Sequence, residues 1–454
     1  MVDGNHLATE FIAGIEYASL PTEVIRQAKR CLLDLIGVTL AGTLTRAGRM
    51  VGDIAREMGG KPEATIACLR EKVPVPTAVL VNTTLAASLD LDDGCRLVKG
   101  HPGSFVIPAA LALCERDRRS GKDCLAAIAA GYEIGIRAGM VTHAWYHHYH
   151  SSGSWGGMGT FAAMAHLLRL DRSQIFNGLG IAEFHGTIAP ALRHAEAPSM
   201  LKGAAGWGAF SGAWAALLAQ RGFSGIPSLL GLEGHHDLMH SLGKEFKIID
   251  VYFKPYACCR WAQPAIDGAL KILTSDQIEL GRIKKVTVQT FEEASKLRTL
   301  RPRTSEEAQY SIPYALAAAI VDREVGVEQV CEERLSDPEF SSVANKVEIV
   351  IDEEAQRLFP SQCLSRVIIE TDQKTYDSGL VGAMGDPDRP FSDDDLKRKF
   401  LSVTRGVIHL DDGRRLIEQV DGLEEMDDLS GMVRLLRRRN PGGGEKGLGG
   451  NYGT

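Results

Sequence analysis

Residues 124–140 read Cys124-Leu125-Ala126-Ala127-Ile128-Ala129-Ala130-Gly131-Tyr132-Glu133-Ile134-Gly135-Ile136-Arg137-Ala138-Gly139-Met140. Apolar side chains recur at three- and four-residue steps, which predicts a helix, and the many Ala and Gly positions let a neighbouring helix approach closely. Working outward, the same habit returns at 106–116, 158–170 and 206–221. It also appears in Val24, Ala28, Cys31, Leu32 and Leu35 after Pro21, a residue suited to a helix start. From Leu7 to about Leu230 the chain therefore predicts one large helical domain.

The texture changes near Ile283. Lys284-Lys285-Val286-Thr287-Val288-Gln289-Thr290 alternates like a half-buried strand, as does 345–351, and 366–371 is a third strand candidate. Helical patterns at 313–321 and 327–331 lie between the first two strands. The expected fold class is mainly α: a large all-helical domain over 1–266 plus a smaller α+β domain over 267–400. A helical pattern beginning near 393 returns to the first domain over 401–439. The Gly-rich tail 440–454 is expected to be flexible and without chemistry.

A chain of 454 residues is too long for one ordinary core, in keeping with two domains. Its net charge of −7 offers no basic surplus for nucleic acid, although a local basic pocket for an anionic substrate remains open. No basic stretch followed by an apolar run opens the sequence, and no run nears eighteen uninterrupted apolar residues, so neither a signal peptide nor a membrane span is expected. The nine cysteines are scattered apart from Cys258-Cys259, without zinc-type CxxC pairs, which suits a reducing cytoplasm.

The chemistry-bearing stretch is Leu89-Asp90-Leu91-Asp92-Asp93-Gly94 with Gly100-His101-Pro102-Gly103. Carboxylates that orient an imidazole make a proton-transfer site; the plainer reading is a polar loop with a capping Asp. Gly157-Met158-Gly159-Thr160-Phe161-Ala162 matches a dinucleotide fingerprint on paper. It follows a polar aromatic run instead of a buried strand, so no nucleotide site is expected. His143, His147, His148 and His150 lack a local third ligand, and no metal is expected. His236 and His240 read as a solvated helix face, whereas His150, before Ser151-Ser152-Gly153, stands where an imidazole can face a cavity. Lys202 is a lone cation in a small apolar stretch and Lys254 a cation among aromatics, followed by Arg260. Together they would clamp substrate carboxylates; apart they are surface charge. Cys258 and Cys259 read as core residues.

Five segments in order resemble the MmgE/PrpD family. They are Asp90–Asp93 with Gly100–Gly103, His150–Gly156, Met200–Gly203, Lys254–Trp261, and Ala308-Gln309-Tyr310-Ser311-Ile312-Pro313-Tyr314. The resemblance implies a helical domain plus a smaller α+β domain, a homodimer, and a site between the domains with no metal or organic cofactor. Position by position, it implies Asp90, His101, His150 and Tyr314 as catalytic candidates, with Lys202 and Lys254 binding substrate. Asp93, Arg260 and Gln263 join the expected substrate-binding set. Gly94 departs from the Thr of many members, and Gln263 from a His; an amide binds a carboxylate but cannot shuttle a proton.

The substrate class so implied is a di- or tricarboxylic acid, and the shared step is handling a proton α to a carboxylate. His101, oriented by Asp90, is the expected base. His150 or Tyr314 is the expected acid, and Lys202 and Lys254 neutralise carboxylates. The leading expectation is a 2-methylcitrate dehydratase-like hydro-lyase. The alternatives are an epimerase of a dicarboxylate such as iminodisuccinate, a cis-aconitate-type decarboxylase, and a non-catalytic carboxylate-binding protein.

Overall fold

A computed structural model describes residues 3–146, 149–276 and 278–437. His147, His148, the tail 440–454 and the last two residues of 401–439 lie outside the described residues.

The 124–140 run sits inside a 25-residue helix, Gly121–Trp145, opened by a capping box in which Ser120 and Asp123 each accept a main-chain N–H of the other. It packs along Gly156–Leu167. The approach is so close that a Cβ on Gly159 would stand 2.8 Å from the Gly131 carbonyl oxygen. The glycines of 157–162 thus serve helix contact, and the turn before them is the 3-10 segment Ser152–Ser154, not a strand. Thr22–Gly42, Val75–Ala87, Gly103–Asp117 and Ala205–Gln220 complete the helical core around this pair. Gly121–Trp145 is long and apolar enough to cross a bilayer, but 94% of its most apolar window is buried by its neighbours.

The smaller part is built on a four-stranded sheet: β1 (Ile283–Thr290), β2 (Val347–Ile351), β3 (Leu364–Thr371) and β4 (Thr375–Gly382). The spatial order is β2-β1-β3-β4, with β1/β2 parallel and the other pairs antiparallel. Helix Gln263–Ser275 covers β3 and β4 and is backed by Ile312–Asp322. The chain is therefore mainly α, a large helical domain with a smaller α+β domain.

One local expectation fails, and one strand was not expected. Residues 327–331 form a turn, not a helix. There the Gln329 side chain accepts from Gly326 N (3.0 Å) and donates to Asp322 (2.9 Å), bonds that compete with helix formation. Strand β4 has no strong sequence signal, since it carries Asp377, Gly379 and Gly382 on a sheet edge; pairing with β3 supplies its order.

The C-terminal helices Asp393–Val403 and Leu410–Asp421 pack back onto Thr22–Gly42. Buried Lys399 anchors the first of them, donating to Asp34 Oδ1 (2.6 Å) and to the Leu91 carbonyl (2.9 Å). That second bond fixes the loop that carries the carboxylates.

Candidate active site

A two-residue strand pair, Gly94 opposite Tyr252 and Cys95 opposite Val251, crosses from the carboxylate loop to the segment leading into Lys254. A Cβ at position 94 would stand 2.4 Å from the Tyr252 phenol oxygen, so the ring occupies the space where a Thr side chain would begin. This pairing brings the Lys254 ammonium against Asp90 Oδ1. Lys254 is fully buried and Asp90 nearly so. Asp90 adopts a left-handed backbone (φ 49°), which Asp tolerates better than most residues. Burial pushes its carboxyl pKa up, but Lys254, Lys202 and His101 together hold it well below the usual carboxylate range. Asp90 is an anion buried beside the cavity.

His101 follows through the turn into helix Gly103–Asp117. Its Nδ1 bonds the Asp93 main-chain carbonyl at 2.7 Å. A carbonyl only accepts, so Nδ1 carries the hydrogen and Nε2 offers its lone pair. Nε2 lies 3.6 Å from Asp90 Oδ1, and Nδ1 lies 3.5 Å from Asp92 Oδ1. The side chain is 28% exposed and lines the cavity. Ser152 Oγ accepts from His101 N at 3.0 Å, fixing the main chain from a second element.

Asp93 turns away from the cavity. Its carboxylate accepts from Gly103 N (2.9 Å) and from the Tyr132 hydroxyl (2.6 Å). Burial first, then Asp34 and Asp92, push its pKa up to about 8, against the lowering from those two bonds. Asp93 supports His101 through its main-chain carbonyl, and its side chain is not on the cavity lining.

Lys202 lines the same cavity, donating to Gln309 Oε1 and lying 5.5 Å from the Tyr310 ring centroid. Burial lowers its pKa while Asp90 and Glu306 raise it. Gln309 also donates to the Ser88 carbonyl (3.2 Å), tying this wall to the carboxylate loop. Within that motif the tyrosine on the cavity lining is Tyr310, not Tyr314, and it stands there with Tyr149 and Tyr252. Ser311 caps helix Ile312–Asp322, which turns Tyr314 into the protein, where its hydroxyl donates to the carbonyls of Gln329 (2.8 Å) and Arg334 (3.2 Å). Burial and then Asp90 raise the Tyr310 phenol pKa, keeping that group protonated.

His150 is not on the cavity lining either. Its neighbours Tyr149, Ser151 and Ser152 are, while His150 bridges to Pro190 by main chain and sets its ring 5.1 Å from Tyr146. Its carbonyl accepts from His143 Nε2 at 3.0 Å. Gln263 is fully buried off the lining: Oε1 accepts from Arg260 (2.8 Å) and Nε2 donates to the carbonyls of Tyr256 and Cys258 (3.1 Å each). It holds Arg260, which lies 4.5 Å above the Tyr252 ring, pairs with Asp386 and does line the cavity. Lys254 likewise lies behind the lining, under Asp90. Cys258 is a core residue as expected, whereas Cys259 is half-buried and lines the cavity; burial raises both thiol pKa values, Cys259 to about 12, which disfavours a thiolate nucleophile.

The cavity measures about 390 Å³. Five cationic side chains line it (Arg96, Lys99, Lys202, Arg260 and Lys296) against Asp90, Asp92 and Glu293. Arg96 and Arg260 share the buried Asp386, whereas Lys202 is bonded to a neutral amide. Sequence reasoning missed Tyr310 although it quoted the motif containing it, and missed His194, an imidazole between Pro190 and Pro198. Arg96 and Lys99, inside the gap between the two quoted stretches, gave no signal. Among the described residues, Asp90, Asp92 and His101 form the one group with metal-ligand spacing, their ligand atoms within 4.8 Å of one another. Lys254 already supplies the positive charge at Asp90 Oδ1.

The MmgE/PrpD N-terminal domain model matches residues 6–248, and the MmgE/PrpD C-terminal domain model matches residues 256–425. The chain belongs to the MmgE/PrpD family. Its curated relatives include a cis-aconitate decarboxylase of Homo sapiens, 24% identical over 95% of this chain and 94% of the relative. A cis-aconitate decarboxylase-like protein oryM of Aspergillus oryzae is 23% identical over 94% of this chain and 95% of that protein. Enzymes of the MmgE/PrpD family that resemble this chain along its length thus support a lyase-type activity on a carboxylic acid. Both family segments supply cavity walls: the first Asp90, His101 and Lys202, the second Arg260 and Tyr310.

Proposed function

We propose that this MmgE/PrpD protein is a cofactor-independent lyase that moves a proton α to a carboxylate of a di- or tricarboxylic acid. The observation that carries this reading is His101. Its Nδ1 hydrogen is committed to the Asp93 carbonyl, so its Nε2 lone pair is the available base beside an anionic Asp90. An anion there stabilises the imidazolium that forms when the proton is taken. Lys202 and the surrounding cations offset the charge that grows on the substrate carboxylate.

For a 2-methylcitrate-like hydroxy acid, the Cα–H proton passes to His101 Nε2 as the C–O bond breaks. The leaving hydroxide takes a proton from Tyr310, which assumes the acid role expected of His150 or Tyr314. A second reading, decarboxylation of an unsaturated tricarboxylate, is favoured by the relatives' names; there a protonated His101 would give its proton to the carbanion left by carbon dioxide. Epimerisation loses its sequence support, because Gln263 does not reach the cavity. The deciding experiment incubates the protein with 2-methylcitrate, citrate and cis-aconitate, following ultraviolet absorbance of a new double bond and release of carbon dioxide. Tight binding without either product would make it a binding protein.

We further propose a cytoplasmic homodimer. Among the described residues no two cysteines form a disulfide. Helix Ala205–Gln220 exposes Trp207 and Trp214 on one face with Phe210 between them, ring centroids 5.6 and 6.0 Å apart, an apolar surface suited to a second copy. Sedimentation of the wild type against a Trp207→Glu, Trp214→Glu variant tests it; a monomeric wild type would reject it.

A further inference from the structure

His194 lies in the cavity wall with no part in the chemistry above. It sits on the short helix Ala191–Glu196 and lines the cavity beside Ala191, Leu192 and Ala195. Its ring meets Tyr310 edge-on, centroids 5.1 Å apart. Nε2 is shut off from solvent and has no hydrogen-bond partner among the described residues. The charged and titratable groups around it come from separate elements: Lys202 from the 3-10 turn before Ala205–Gln220, Tyr310 from the end of Ser305–Gln309, Asp90 and His101 from the carboxylate loop. Arg193 and Glu196 flank it on its own helix. Burial, then Lys202, lowers its pKa to about 4, with Asp90 pulling the other way, so the ring is neutral in the empty cavity.

A buried polar atom left without a partner costs free energy, and it persists where a partner arrives later. We propose that His194 contacts the substrate and takes up one proton from water as a polycarboxylate enters, becoming a charged donor to one of its carboxylates. The inference rests on the polycarboxylate reading of the cavity. The entering anion offsets the field of Lys202, which after burial is the larger charge effect against the imidazolium, and gives the charged ring a partner. The proton goes from solvent to the free ring nitrogen, and no substrate bond changes in this step. His194 thereby adds a positive charge only when there is negative charge to meet it, which favours substrates with several carboxylates over monocarboxylates.

Titration calorimetry at pH 7 with propane-1,2,3-tricarboxylate, in buffers of differing ionisation enthalpy, tests it. The wild type should take up most of one proton per ligand. His194→Asn, which keeps an amide donor but cannot titrate, should take up none and bind about tenfold more weakly. Uptake undiminished in His194→Asn overturns the inference and leaves the site reading standing. A wild type that does not bind the tricarboxylate overturns the site reading, and the inference with it. If His194→Asn fails to fold, the His194 ring resonances of the wild type decide instead. With ligand they should titrate above pH 7, against about 4 without it, and a titration that stays below 7 overturns the proposal.

Discussion

The Nδ1 hydrogen of His101 is held by the main-chain carbonyl of Asp93, 2.7 Å away, closer than the Asp92 carboxylate at 3.5 Å. The tautomer is therefore set by backbone geometry. The neighbouring carboxylates are left to bias the charge of the ring, not to choose which nitrogen is free.

Replacing His101 with Ala should lower kcat by about 10² to 10⁴, the span usual for a general base, with the thermal transition unchanged. Steady-state kinetics beside a melting curve checks both parts. Near-normal turnover would remove His101 from the reaction.

Lys254, itself fully buried, meets Asp90 behind the cavity lining. Lys254→Met leaves that carboxylate buried without its cation and should cost about 3–5 kcal/mol in urea unfolding. Adding Asp90→Asn should recover much of the loss. The sign follows from the lowered Asp90 pKa. Its stabilisation is present above the unfolded value near 3.9 and is lost as pH falls through the folded value. The gap between wild type and the double variant should therefore shrink in acid; a gap that widens there contradicts the assignment.

Asp93 runs the other way. Between about pH 4 and 8 the unfolded chain releases its proton while the native carboxyl keeps it, so the native state binds more protons and stability falls as pH rises. Asp93→Asn mimics the protonated form and should not share this decline. Relative to the variant, wild type should lose up to about 1.4 kcal/mol per pH unit in that window. Denaturant midpoints at pH 5 and 7.5 would expose a flat difference, and with it an ionised Asp93.

Tyr310→Phe and Tyr314→Phe form a matched pair. The first removes the phenol at the cavity and should cost roughly 10² in kcat for dehydration, with little change in stability. The second leaves two buried carbonyls without their donor and should cost about 1 kcal/mol of stability with kcat intact. A reversed pattern would return the acid role to Tyr314.

The helical domain was legible because its signal is local: 124–140 and its sister runs state a period that nothing overrides. Asp90, His101 and Lys202 were legible as residue types that rarely gather in apolar surroundings without a task. What sequence could not supply was facing. Tyr310 and Tyr314 are four residues apart in the same motif, but Tyr310 ends helix Ser305–Gln309 while Tyr314 lies in the first turn of Ile312–Asp322, with the extended Ser311 cap between them. Gln263 looked like a ligand because an amide suits a carboxylate, but its bonds go to Arg260 and two carbonyls. The turn at 327–331 is set by the Gln329 side chain, which hydrophobic periodicity does not register.

Position 94 is opposite Tyr252, from the far side of the chain's midpoint, and no side chain fits between them. The two sites are therefore free to drift only as a couple. A hydroxyl-bearing side chain at 94 would first require a smaller residue than the aromatic ring beneath Arg260, a steric lock that joins the two halves of the cavity wall.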